Sequence, residues 1–229
     1  MSVTRFYERA EAVPHEGAFA VALDGKVARS LGRAPLAGSQ ALAEAMAAEW
    51  AGQGGTLDMN TMPLTRLHGQ ALDAGPEAPA QWAGIVQAYA NTDLLCYRGE
   101  EAALAAKQAA AWEPYLDRLA ERLGARLRVT EGIVAVLQPT EATDALEELL
   151  ADATPTRLLV LKTLTEIGGS AVLALAVEDG ADAGAAFDAS RVDERHQEER
   201  WGVDTEAAAR EAGLRRDWDA AARYLELSA

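Results

Sequence analysis

The sequence predicts an α+β fold, with a small β-rich N-terminal domain over residues 1–76 and a larger α-helical domain over residues 77–229. Three observations predict it. Ala18 to Ser30 alternates apolar and small or polar residues around an Asp24-Gly25 pair, the signature of a tight hairpin. From Trp82 onward the apolar residues recur every third or fourth position, the period of helices packed on one face. Between the two patterns lies DAGPEAPA, Asp73 to Ala80, rich in proline and small residues, which is where a boundary is expected.

In chain order, RFYERAEAV (Arg5 to Val13) alternates loosely and reads as strand. Phe19, Val21 and Leu23 point one way, Asp24-Gly25 tolerates the positive φ angles of a two-residue turn, and Val27 starts the return strand. Ser39 is placed to cap a helix whose stripe is Leu42, Met46 and Trp50 and which stops at Gly52-Gln53-Gly54-Gly55. Met62-Pro63 opens a second, shorter helix. Trp82, Ile85, Val86 and Tyr89 form the next stripe, and TDLLCYR (Thr92 to Arg98) interrupts it with an extended apolar run. A long helical pattern resumes at Glu101, with Pro114 marking a new first turn or a kink. Arg126 to Pro139 has β character and suggests a strand pair or an irregular crossing. Helices are then expected over Glu141–Leu150, Thr156–Val177 and Ala181 to about Trp201, and a final one from Asp217.

Composition narrows the function classes. The chain has 229 residues, 49% hydrophobic and 25% charged, with a formal net charge of -15. That field repels nucleic acid and anionic membrane surfaces, so neither is an expected partner. From Glu178 to the end, 14 acids face 7 arginines, a solvated and strongly acidic tail region. The lone cysteine, Cys96, excludes an intrachain disulfide and sits in an apolar run, as a buried inert thiol would. The most apolar window, Leu158 to Val177, holds Lys162, Glu166 and Gly168-Gly169, which suits a core helix and not a membrane span. The N-terminus has the features of neither a secretory signal nor a transit peptide, which suggests a bacterial cytoplasmic protein; a mitochondrial matrix location would apply to a processed eukaryotic homologue.

No nucleophile elbow, phosphate loop or dinucleotide fingerprint is present, and no cofactor is expected. The densest chemistry is DERHQEERWGVD, Asp193 to Asp204. Asp193 and His196, three apart, could place two ligands on one helix face, giving the alternative of a small metal-dependent hydrolase; a carboxylate-bundle metal site needs a second such pair, which the chain lacks. Glu194 and Glu198 could be salt-bridged by Arg191, Arg195 and Arg200 on an exposed helix. Asp193, Gln197 and Trp201 share a face by spacing, the composition of a binding hot spot, while Gly202 could simply end the helix.

A series of motifs along the chain resembles a known family. They are Arg5-Phe6-Tyr7, Leu23-Asp24-Gly25, Pro35-Leu36, ALAEAMAAEW from Ala41 to Trp50, and MPLTRL from Met62 to Leu67. YANTDLLCYR from Tyr89 to Arg98 follows, then Gln108 with Trp112 and Pro114, then Gly168 to Ser170 ahead of an LALA run, and last Gln197 to Trp201-Gly202. Their order and spacing resemble the assembly chaperones of the ATP synthase F(1) sector that hold the α subunit, the homologues of mitochondrial assembly factor twelve. Ser30-Leu31, where Thr-Pro is often found, and Leu67 to Asp73 depart from the pattern. The resemblance implies a β-rich domain before a helical one, a monomer without catalysis, and transient binding of the unassembled α subunit, which shields the surface that later pairs with β. It implies that an acid just ahead of Gln197 matters, Glu194 by position with Asp193 as its neighbour. Gln197, Trp201, Gly202 and Asp204 complete the expected partner-binding set.

Overall fold

The computed structural model describes residues 3–202 and 204–228. Backbone contacts divide it into two compact units, one of residues up to Glu77 joined by those from Arg223 on, the other Ala78–Ala222. The end of the last helix, expected in the helical domain over residues 77–229, clusters from Arg223 on with the first unit instead.

In the first unit, β1 (Val3–Thr4) pairs antiparallel with β6 (Thr56–Leu57). A four-stranded antiparallel sheet is built on β3 (Ala18–Leu23), flanked by β2 (Ala10–His15), β4 (Lys26–Val27) and β5 (Ala37–Gly38). Asp24 and Gly25 both adopt positive φ, as the expected hairpin requires. A second tight turn at Glu16-Gly17 also has positive φ at both residues and joins β2 to β3. β3 is central, so its small residues Ala20 and Ala22 are as buried as Val21 on the opposite face.

Helix α1 (Gln40–Ala51) packs on β2 and β3, capped by the Ser39 hydroxyl accepting from the Leu42 amide at 3.1 Å. Its Leu42, Met46 and Trp50 are buried, and the Tyr7 hydroxyl donates to the Trp50 carbonyl at 2.7 Å. Helix α2 (Pro63–Leu72) has no cap of its own. Glu49 of α1 supplies it, accepting from the Leu64 and Thr65 amides at 2.8 Å each, which places a carboxylate at the positive end of the helix. Burial nonetheless holds the Glu49 carboxyl above its ordinary pKa.

The second unit is helical. Its elements are α3 (Ala78–Asn91), a 3-10 turn at Leu94–Cys96 leading into β7 (Tyr97–Arg98), α4 (Ala102–Leu123) and β8 (Thr130–Glu131), which pairs parallel with β7. Then come α5 (Thr140–Ala151), α6 (Pro155–Gly168), α7 (Ala171–Glu178), α8 (Ala183–Ala189), α9 (Val192–Trp201) and α10 (Thr205–Leu227). The short α7 is the centre, with every residue from Ala171 to Val177 buried against α3, α4, α6 and α8. Asp93 ties its start, accepting from the Ser170 hydroxyl at 2.7 Å and the Val172 amide at 3.1 Å. At its other end Glu178 would oppose the helix dipole, and Arg157 and Arg122 neutralise it. Cys96 is buried and its thiol is pushed up to about 12, first by burial and then by Asp93.

Several boundaries differ from those read in the sequence. The expected helix over 156–177 is two helices, because Gly169 takes a left-handed conformation as the C-cap of α6 and Ser170 caps α7. The expected helix over 181–201 breaks after Ala189, where the Ser190 hydroxyl folds back onto the Phe187 carbonyl. Helix α4 runs through Pro114 without restarting. Helix α10 begins at Thr205, not at Asp217, since an exposed alanine-rich run carries helix propensity without an apolar stripe. Arg126 to Pro139 yields one two-residue strand, and the rest is irregular.

Candidate functional site

The acidic stretch folds as α9, and its two sides have different lives. One side is fastened to α4. Gln108, buried on α4, donates through Nε2 to Asp193 Oδ1 at 2.7 Å, and its own carbonyl oxygen accepts from the Gly99 amide at 2.7 Å. Farther along, Lys107 pairs with Glu199 and Arg200 with Glu101. His196 is buried between them, its Nδ1 3.5 Å from Lys107 Nζ and its Nε2 3.5 Å from Glu101. Lys107 holds the Glu199 carboxyl below its ordinary pKa; for Glu101 a desolvation that raises it is outweighed by His196 and Arg200.

The other side faces out. Glu194, Gln197 and Trp201 lie three and four residues apart and form one exposed stripe, with the Glu194 side chain 51% and the Trp201 residue 75% accessible. Asp193 borders this stripe, four residues before Gln197, but is partly buried. Its carboxylate turns to Gln108 of α4, whereas Glu194, about 100° farther round the helix, stays in solvent. Of the three arginines expected to pair along the helix, only Arg191 reaches Glu194, at 3.1 Å; Arg195 meets Asp188 of α8 and Arg200 meets Glu101 of α4. Gly202 ends the helix at positive φ, its amide donating to the Glu198 carbonyl at 2.8 Å. Asp204 caps the next helix, accepting from the Glu206 amide at 2.8 Å.

Asp193 and His196 do not converge as ligands, since Asp193 turns to Gln108 and His196 to Lys107 and Glu101. Among the described residues no three His, Cys, Asp or Glu side chains gather so as to hold a metal ion, so the hydrolase alternative finds no ligand set there.

Two grooves border α9. One, about 480 Å³, runs between α4 and α8–α9 and is lined by Lys107, Tyr115, Asp188, Arg195 and His196. The other, about 500 Å³, includes Asp193 and the end of α3. Sequence reasoning missed a further surface. In the irregular segment after α4, Ile133 (97%), Val134 (74%) and Leu137 (86%) are exposed together. The base of this loop is fixed: Gln138 exchanges hydrogen bonds with the Arg128 amide and carbonyl at 2.8 and 3.2 Å, and the Gly132 amide donates to the Arg98 carbonyl at 2.9 Å. Its signal in the sequence was an apolar run with neither period. Among the described residues no helix is long and apolar enough to cross a membrane.

Comparison with known proteins bears on this arrangement. The profile of the ATP12 chaperone protein family matches residues 4–120. Atp12 from Paracoccus denitrificans is 37% identical, with a TM-score of 0.89 over 99% of each chain. An aspartate-to-lysine mutant of that Atp12p matches at 36% identity and TM-score 0.89, over 99% of this chain and 98% of the other. A chaperone candidate from Agrobacterium tumefaciens matches at 35% identity and TM-score 0.91, over 98% of this chain and 85% of its own.

Proposed function

Because this chain belongs to the ATP12 chaperone family, we propose that it assists assembly of the ATP synthase F(1) sector by binding the unassembled α subunit and keeping it from aggregating until it pairs with β. An isolated subunit of an obligate complex exposes a large apolar interface, and a monomeric acidic cap can cover it and leave when the true partner arrives. In this reading the chain works by binding alone, in the bacterial cytoplasm, without catalysis or cofactor.

The observation that carries the reading is the exposed Glu194–Gln197–Trp201 stripe on a helix whose opposite side is locked to α4. A tryptophan exposed to this degree gains by burial in a partner, and a rigid support lowers the entropy lost on docking. Glu194 beside it offers a charge, and Gly202 and Asp204 fix where the helix stops and the next begins. The apolar loop at Ile133, Val134 and Leu137 extends the contact surface.

Purified α subunit immobilised on a sensor tests it. Wild-type protein should bind saturably, while Glu194→Lys and Trp201→Ala should each lose about 2 kcal/mol or more of binding, the range of hot-spot residues. Both positions are exposed, so thermal stability should stay within about 0.5 kcal/mol of wild type. Absence of wild-type binding overturns the assignment of the partner, and normal binding by both variants overturns the assignment of the stripe.

A further inference from the structure

The groove that contains Asp193 has a distinct chemical character. It is walled by Ala88 and Tyr89 in the last turn of α3, by Thr92 and Leu94 just beyond, and by Tyr97 and Asp193. Three of its features favour a cation. The Asp193 carboxylate lies in it, with Oδ1 held by Gln108 and the group thereby fixed in direction. Two phenol rings, Tyr89 and Tyr97, line it, and aromatic faces attract ammonium and guanidinium groups. The C-terminal end of α3, the negative end of its dipole, closes one side. Leu94 and the ring carbons supply apolar wall around these groups. Among the described residues no arginine or lysine lines the groove, and the chain's net charge of -15 adds to the same sign.

We propose that this groove receives a lysine or arginine side chain of the unassembled α subunit, its charge against Asp193 and its methylene stem between Tyr89 and Tyr97. The proposal rests on the reading of the chain as an α-subunit chaperone, and it divides the labour of α9. Glu194, Gln197 and Trp201 present the outward stripe, while Asp193, one residue away and turned sideways, anchors a basic residue of the same partner. The two acids at the start of α9 are therefore not redundant, because they address different parts of the bound surface.

The groove can be altered from its rim. Ala88 and Thr92 are exposed, so substitutions there leave the core untouched. Asp193→Asn keeps an oxygen for Gln108 and removes only the charge. With immobilised purified α subunit, Asp193→Asn should bind about tenfold more weakly, and its affinity should fall less steeply with added salt than that of wild type. Ala88→Lys should weaken binding to a similar extent by repulsion, whereas Ala88→Glu, of similar bulk, should bind at least as well as wild type. Thr92→Trp should obstruct the groove and weaken binding at every salt concentration. If Asp193→Asn, Ala88→Lys and Thr92→Trp all bind as wild type does while Glu194→Lys still binds weakly, the groove proposal is overturned and the stripe stands. If Ala88→Lys and Ala88→Glu weaken binding equally, the cationic occupant is refuted. If wild-type protein does not bind the α subunit, both readings fall together.

Discussion

Asp93 joins two separate backbone segments with one carboxylate. It accepts from the Leu95 amide at 3.0 Å, the Ser170 hydroxyl at 2.7 Å and the Val172 amide at 3.1 Å. Burial pushes its pKa up to about 6, against the downward pull of those donors. A carboxyl whose folded pKa is raised stabilises the fold fully below its unfolded value near 3.8 and loses that contribution as pH rises through about 6. The stability difference between wild type and Asp93→Asn, read from urea melts, should therefore shift in favour of wild type by about 1 kcal/mol between about pH 7.5 and about pH 5. A difference independent of pH in that window would refute the account. Asp93 escaped the sequence reading because TDLLCYR registers as an apolar interruption and its one acid looks incidental. A lone acid leading straight into an apolar Leu94-Leu95-Cys96 run was the signal that could have found it. Glu194 and Trp201, by contrast, were legible as candidates, since charge and aromatic lie together in a short stretch.

At the scale of elements, the helices were legible wherever an apolar stripe ran against a polar face, as in α1 with Leu42, Met46 and Trp50. The breaks at Gly169 and Ser190 were not. Gly169 leads into a run buried on every face, Ala171 to Val177, and Ser190 lies among residues of mixed burial, so no change of period marks the end of one helix and the start of the next. Gly168 is a site of close packing: a Cβ there would lie 2.8 Å from a ring carbon of Trp218. That ring is fixed from the far side by its indole N–H, which donates to the Ala183 carbonyl at 2.8 Å. Gly168→Ala should thus cost about 1–3 kcal/mol in chemical denaturation, the range of an overpacked core. A neutral substitution would mean that α6 and α10 separate more readily than their packing indicates. The side of α9 that faces out depends on contacts with α4 that spacing alone does not contain, so the hydrogen bond that ties Asp193 to Gln108 was not legible.

At the scale of the whole molecule, the α+β class and the order of its parts follow from the change of period along the chain. What the period cannot carry is the return of the chain end to the first unit. There the Tyr224 hydroxyl lies 2.6 Å from His68 Nδ1, and His68 Nε2 lies 3.0 Å from the Ala37 carbonyl. The carbonyl can only accept, so Nε2 carries the proton and Nδ1 accepts from the tyrosine. The Ser39 hydroxyl, besides capping α1, donates to the Leu227 carbonyl. Burial lowers the His68 pKa, so the stability it contributes is complete above its unfolded value near 6.5 and is lost as pH falls through the lower folded value, opposite in sign to Asp93. Tyr224→Phe, which strands Nδ1, should cost about 1–2 kcal/mol at neutral pH by thermal or chemical melting. An unchanged melt would show that packing alone holds the chain end. The central claim, that the chain shields an unassembled α subunit through the outward stripe of α9, is tested most directly by light scattering from purified α subunit on warming. An equimolar amount of wild-type protein should suppress the rise in scattering and Glu194→Lys should not. Equal suppression by the two proteins, or none by wild type, would contradict the account.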